Sequence, residues 1–303
     1  MEDCVGVISG WLRKSVSEAT WVAYIKVCQE WESLATWAAI DPCGPDVRGL
    51  LFYWVARCME DGVSVSVLNQ KMAGLAFLFK LRGCQDFTKD FWVRQALKGY
   101  RKARMTRDVR RPVSFSVLQG LVGQLPGICS SEYESALFKV AFILAFFGAF
   151  RIGELVSPSK KRPGGLSYQE VSCGRDRVSL WLRKSKMDQM GKGREVLLFA
   201  LPGSTLCPVG AVRAFLDMRP GAEGSFLIHG DGSPLSRYQF VTIFKKGLRA
   251  GGVDEKSFSS HSFRIGAATE AHRCGLGVEV VKQIGRWESR RFRSYVRPHL
   301  LDS

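Results

Sequence analysis

The chain has 303 residues, more than one small core needs, so two domains are expected. Forty-four Lys and Arg stand against 28 Asp and Glu, leaving a net charge of +16 that speaks of polyanionic partners rather than of fold. No apolar run reaches the roughly 18 residues of a membrane span. The N-terminus MEDCVGVISG has no basic stretch ahead of an apolar core. A membrane or secreted protein is therefore set aside, and an intracellular nucleic-acid-binding protein is expected.

The first helix is expected over 16–39, where Trp21, Tyr24, Val27, Trp31 and Leu34 recur at three- and four-residue steps and Ser17 stands ready to cap. CGPD at 43–46 breaks the chain. Helical segments follow at about 47–61, 64–81 and 88–104, which makes residues 1–104 an all-α domain. The next stretch, RKARMTRDVRRPVS at 101–114, is strongly basic and ends at a proline. It reads as a solvated linker over 105–113, and equally as a linker that lies on phosphates. Helices resume in FSVLQGLVGQL and in YESALFKVAFILAFFGAF, the latter apolar on nearly every face and so expected in a core. Three alternating segments at 166–171, 178–184 and 194–200 predict a three-stranded antiparallel sheet. Helices are then expected at about 207–218, 236–250, 260–274, 277–284 and 289–297. The fold class is mainly α with one small antiparallel sheet, in which 114–303 forms an α+β second domain.

Nine cysteines are scattered without a C-x-x-C, and their number is odd, so reduced structural thiols are expected rather than disulfides or a zinc ribbon. Four histidines show no i, i+4 pair. No metal site is expected.

Several residues carry chemistry suited to a phosphodiester, which needs fixed cations at its non-bridging oxygens, a nucleophile and a general acid. Arg151 follows an apolar helix in GAFRIGEL, where it either pairs with Glu154 or is kept for an anion. His261 and Arg264 fall at i, i+3 behind a Ser259–Ser260 cap, at a helix N-terminus that favours anions. Trp287 is either core or a donor of one N–H. Tyr295 sits among Arg290, Arg291, Arg293 and Arg297, whose charges favour a phenolate. Lys186 lies in a hairpin turn with Lys184 and Lys192 beside it, an ordinary charged turn or a proton donor in a DNA groove. Candidate phosphate contacts are Arg101, Lys102, Arg104, Arg107, Arg110 and Arg111 in the basic stretch, Lys184 in the hairpin, and Arg290, Arg291 and Arg293 before the tyrosine.

Taken together, GAFRIGEL at 148–155, LRKSKMDQ at 182–189, HSFR at 261–264, IGRW at 284–287 and SYVR at 294–297 resemble the tyrosine recombinase, or phage-integrase, family. The flavour of the hairpin and of GRW is similar to recombinases of DIRS-like or Crypton-type mobile elements. The resemblance implies a helical core-binding domain and a catalytic domain that clamp double-stranded DNA. It implies Tyr295 as nucleophile forming a 3′-phosphotyrosine, Arg151 and Arg264 on the phosphate, His261 in acid–base catalysis and Trp287 as donor. Lys186 would protonate the leaving 5′ oxygen, and Glu154 would position its neighbours. No cofactor is implied. Recombination would take a homotetramer on two DNA sites, assembled from protein that can be monomeric when free, and the protein would work in the nucleus if its host is eukaryotic. Two other readings keep the same fold: a DNA-binding descendant that no longer cuts, and an enzyme of type IB topoisomerase kind.

Overall fold

The computed structural model describes residues 2–104, 108–183 and 193–301. The chain divides into two compact units, Met1–Arg107 and Asp108–Ser303.

The first unit holds α1 (Glu2–Lys14), α2 (Glu18–Trp37), α3 (Val47–Glu60), α4 (Val65–Leu81) and α5 (Phe91–Ala103). Ser17 and Ser64 cap α2 and α4, each hydroxyl accepting from the backbone N–H three residues on, at 3.2 and 3.3 Å. The apolar stripe of α2 is buried at Val27 and Trp31, while Trp21, Tyr24 and Leu34 are half-buried. Trp31 meets Trp54 and Phe79 edge-on, with centroids 5.9 and 5.7 Å apart. α1 was not expected from the sequence. One expectation is overturned here: Cys43 and Cys84 form a disulfide, their Cα atoms 5.5 Å apart. It joins the loop after α2 to the loop after α4. Among the described residues six other cysteines are free thiols.

The second unit is built around α7 (Glu132–Phe147), which is wholly buried from Val140 to Phe146. An apolar residue on every face leaves such a helix no solvent side. α6 (Phe115–Ile128), α9 (Pro208–Met218), α10 (Arg237–Ala250) and α11 (Ser262–Arg273) belong to the same unit as α7. Phe142 stacks on Phe263 of α11 at 5.6 Å and meets Phe240 of α10 edge-on at 5.0 Å. The sheet runs β1 (Val171–Cys173), β2 (Arg177–Leu182), β3 (Arg194–Phe199) in that order, all antiparallel, with Val171 opposite Leu180 and Arg177 opposite Phe199. Val178, Leu180 and Leu182 alternate inward from β2 into the core.

The first strand is shorter than expected. The stretch 168–170 forms a 3-10 turn, closed by the Glu170 carboxylate accepting from Ser167 N at 2.7 Å, and pairing starts only at Val171. The segment 108–113 belongs to the second unit. Arg111 N donates to Ser257 O at 2.8 Å and Val113 N to Ser262 O at 3.0 Å. A Cβ on Gly266 would lie 1.9 Å from Val113 O, so α11 can approach this segment only through a glycine. Glu270 of α11, itself buried, accepts from Phe115 N at 2.9 Å, which ties α11 to the first turn of α6.

A short helix α8 (Ile152–Leu155), then α12 (Val278–Gly285) and a 3-10 segment at 290–295, complete the unit. The last helix expected from the sequence is therefore a 3-10 turn. No helix among the described residues is long and apolar enough to cross a membrane.

Candidate active site

The second unit carries a cleft of about 750 Å3. Its walls include Arg151, Glu154, Arg237, Ser260, His261, Arg264, Arg286, Trp287, Ser289, Arg291 and Tyr295. Arg151, His261, Arg264, Trp287 and Tyr295, all expected from the sequence, thus converge from segments up to 144 positions apart (295 − 151). Lys186, Lys184 and Arg107 lie outside the described residues.

Backbone geometry after α7 starts the site. Ala149 takes a left-handed conformation, φ 42°, which costs a non-glycine residue on the order of 1 kcal/mol. Its carbonyl accepts from Arg264 Nη1 and, at 3.1 Å, from Arg286 Nη2. Arg264 is 1% exposed and also donates Nη2 to Gly285 O at 2.9 Å. Burial, then the charges of Arg151 and Arg286, push its guanidinium down to about 10, so it remains a cation at neutral pH.

Arg286 is a residue that sequence reasoning missed. It ends α12 in the left-handed region (φ 56°, ψ 45°), is buried, and donates to Gly148 O at 2.7 Å and to Glu154 Oε2 at 3.0 Å. Glu154 uses both oxygens. Oε2 also accepts from Arg151 N at 2.8 Å, and Oε1 from Arg151 Nη1 at 2.9 Å. The Arg151–Glu154 pairing weighed as an alternative to anion binding is therefore present, and it aims Arg151 into the cleft rather than removing it. The signal for Arg286 was its place between Gly285 and Trp287.

The remaining walls come from α11 and the 3-10 segment. The helix begins at Ser262, two residues later than expected. His261 is its first capping residue, and Ser259 Oγ accepts from His261 N at 3.2 Å instead of capping the helix. His261 keeps solvent contact, yet burial of its ring and the charges of Arg110, Arg264, Arg237 and Arg151 hold its pKa below the usual imidazole value. The Trp287 ring lies 4.9 Å from the Arg264 guanidinium carbon and 4.9 Å from the Tyr295 ring. Arg264 Nε, Arg286 Nε and Trp287 Nε1 are buried N–H groups without an acceptor among the described residues. Tyr295 packs with Trp287, Phe292 and Val281 in a small apolar cluster within its own chain. Thr269 Oγ1 lies 3.1 Å from Tyr295 O and accepts from Arg297 N at 3.0 Å.

Gly285 has no freedom to carry a side chain. A Cβ there would stand 1.8 Å from Trp287 Cζ3. Gly285→Ala is expected to swing the indole off Arg264 and cost about 1–3 kcal/mol of stability, read as a lower midpoint in urea.

The other candidate cations sit variously. Arg290, Arg291 and Arg293 are exposed, and Arg291 reaches the cleft. Arg110 is paired with Asp108 at 2.7 Å, and Arg111 packs over Phe258. In the first unit Arg101 lines a separate groove of about 560 Å3 with Asn69, Lys89, Arg94, Gln95 and Lys98. Lys102 is exposed, whereas Arg104 is turned back onto Gly62 O and the Tyr100 ring. Arg237, at the start of α10, is a cleft cation that sequence reasoning missed, and no motif marked it. Among the described residues no cluster of His, Cys, Asp and Glu is placed to hold a metal.

Fold and cleft together define a scaffold that sets a tyrosine against a nest of arginines. No protein-family model matches the chain. An integrase/recombinase XerD homolog from Selenomonas ruminantium is 26% identical over 283 residues, covering 86% of this chain and 75% of that protein. The Tn1549 transposon integrase, solved with circular intermediate DNA, shares the fold at TM-score 0.63 and 16% identity, covering 96% of this chain and 93% of that one. A lambda integrase fragment, solved as a dimer on a core site, gives TM-score 0.64 at 12% identity, with 97% and 94% covered. XerH recombinase bound to its difH substrate gives 0.58 at 13%, covering 82% of this chain and 66% of that longer one. The sequence relative and the shared fold together support the tyrosine recombinase/integrase family for this chain.

Proposed function

We propose that the protein is a site-specific DNA recombinase that cuts and rejoins double-stranded DNA through a 3′-phosphotyrosine. The observation that carries this is the meeting of Tyr295 with Arg151, His261, Arg264 and Trp287 in one cleft of one chain. Tyr295 Oη attacks phosphorus and its proton passes to His261. The P–O5′ bond breaks, and Lys186 protonates the leaving oxygen. Arg151 and Arg264 hold the non-bridging oxygens as charge builds on them, and Trp287 Nε1 donates to one. The ester bond is conserved in the phosphotyrosine, so a 5′-hydroxyl from either duplex can reverse the step.

The full exchange uses four protomers on two sites. The likeness to recombinases of DIRS-like or Crypton-type elements rests on LRKSKMDQ and IGRW, and it carries with it a nuclear site of action in a eukaryotic host. The test is a nicked duplex from the flanks of the gene, incubated with protein, denatured and run on a gel. A covalent adduct supports the reading. Tight binding without an adduct favours the silent DNA-binding descendant, and relaxation of supercoils without site preference favours the topoisomerase-like one.

The depressed pKa of His261 sets a pH dependence. Its neutral form is favoured in the folded protein, so that contribution to stability is present above the unfolded pKa of about 6.5 and fades as pH falls through the lower folded value. The same neutral form accepts the tyrosine proton. On its acid side, cleavage at limiting DNA, which reports the free protein, is expected to stay level down to about pH 6.5 and to decline below it. His261→Ala should remove that acid limb from the pH–rate profile.

A further inference from the structure

The segment that carries the nucleophile is tied to an acid that none of the catalytic steps uses. Asp108 is the one acidic residue in the basic stretch 101–114. Its carboxylate takes Arg110 in a two-pronged pair, Nε at 2.8 Å and Nη2 at 2.7 Å. It also takes Arg297 Nη2. Arg297 stands two residues past Tyr295, with its side chain only 11% exposed. Arg297 Nη1 further donates to Arg110 O at 2.8 Å and to Asp108 O at 3.3 Å, and Nε to Ser294 O at 3.0 Å. A guanidinium with every nitrogen engaged has one geometry, and its backbone N–H is already fixed on Thr269. The residues on either side of Tyr295 are therefore pinned at two points, one on α11 and one on the start of the second unit. The two arginines press on Asp108 strongly enough to keep it ionised far below the usual carboxylate range.

We propose that Asp108 is a positioning residue for the nucleophile: by holding Arg297 and Arg110 it fixes the Tyr295–Arg297 segment and so places Tyr295 in the cleft of its own chain. This rests on the reading of Tyr295 as the nucleophile. Asp108 does not line the cleft, so it acts through Arg297. It also keeps two cations from DNA phosphates. Removing it should slow chemistry and leave binding equal or tighter, a split that general loss of structure does not produce.

The experiment compares wild type with Asp108→Ala, Asp108→Asn and Arg297→Ala, and with Asp108→Ala combined with Arg297→Ala. Single-turnover adduct formation is followed at saturating nicked duplex, beside duplex affinity and backbone hydrogen exchange of 293–301 in the free protein. Asp108→Ala is expected to slow adduct formation by about 10- to 100-fold, the scale of a small misplacement of a reacting group. Affinity should hold or rise, and exchange in 293–301 should quicken while the α7 core stays protected. The double variant should be no slower than Arg297→Ala alone, because both act on one link. Adduct formation at the wild-type rate, or affinity falling in step with it, overturns the proposal. If wild type itself forms no adduct, the recombinase reading fails and exchange alone decides: quickening on Asp108→Asn keeps the latch, and unchanged exchange removes it.

Discussion

Tyr295→Phe is expected to abolish the covalent adduct while leaving duplex affinity unchanged. The substitution removes one oxygen, Oη, which makes no hydrogen bond among the described residues. The ring contacts remain: Trp287 at 4.9 Å, and the apolar cluster with Phe292 and Val281. Stability should therefore move by little. On the proposed reading the loss in chemistry is complete, because phenylalanine offers no atom that can bond covalently to phosphorus. The check is the denaturing gel, run beside a binding titration of the same duplex. An adduct persisting in the variant would move the nucleophile elsewhere, and binding lost together with the adduct would mean that the phenol served structure.

Glu154→Ala should be the most damaging substitution that leaves every cation of the cleft in place. Glu154 and Arg286 are both almost fully buried, with side-chain exposures of 6% and 7%. Taking away one partner of a buried pair leaves the other charge uncompensated, at a cost of about 3–5 kcal/mol. Here one carboxylate serves two guanidiniums and a backbone N–H, so Arg151 also loses what orients it. The expected result is a lower midpoint in urea with an unchanged slope, and cleavage reduced about 100-fold or more in the fraction that folds. Glu154→Gln keeps the shape and one acceptor oxygen, and should fall between. Full stability in the alanine variant would mean that the carbonyls of Gly148 and Ala149 alone hold Arg286.

Much of this site could be seen in the sequence, and the reason is order. His-x-x-Arg on one helix turn, an arginine closing an apolar helix and a tyrosine in a basic stretch are local patterns, and each survives folding. What stayed hidden depends on segments that meet only in three dimensions. Arg286 stands 132 positions from Glu154 (286 − 154), and nothing nearby in the chain announces a partner for it. Arg297 likewise finds Asp108 189 positions away. Cys43 and Cys84 were read as free because their spacing carries no motif, yet the helices between them turn back and bring them together. The stretch LSYQEV alternates like a strand, but Glu170 reaches back to Ser167 N and curls it into a turn before pairing begins. The twin serines before His261 looked like a cap. One of them instead closes the turn ahead of the helix, its hydroxyl accepting from His261 N.

Tyr295 rests against Trp287 and Arg264 of its own chain. In kinetic terms this separates two events that recombination joins. On the proposed chemistry, making the phosphotyrosine would be unimolecular within one bound protomer, whereas handing the strand to another duplex would be a property of the assembly. Once a protomer is bound to DNA, protein concentration would then govern whether ends are exchanged, and not whether a bond is cut.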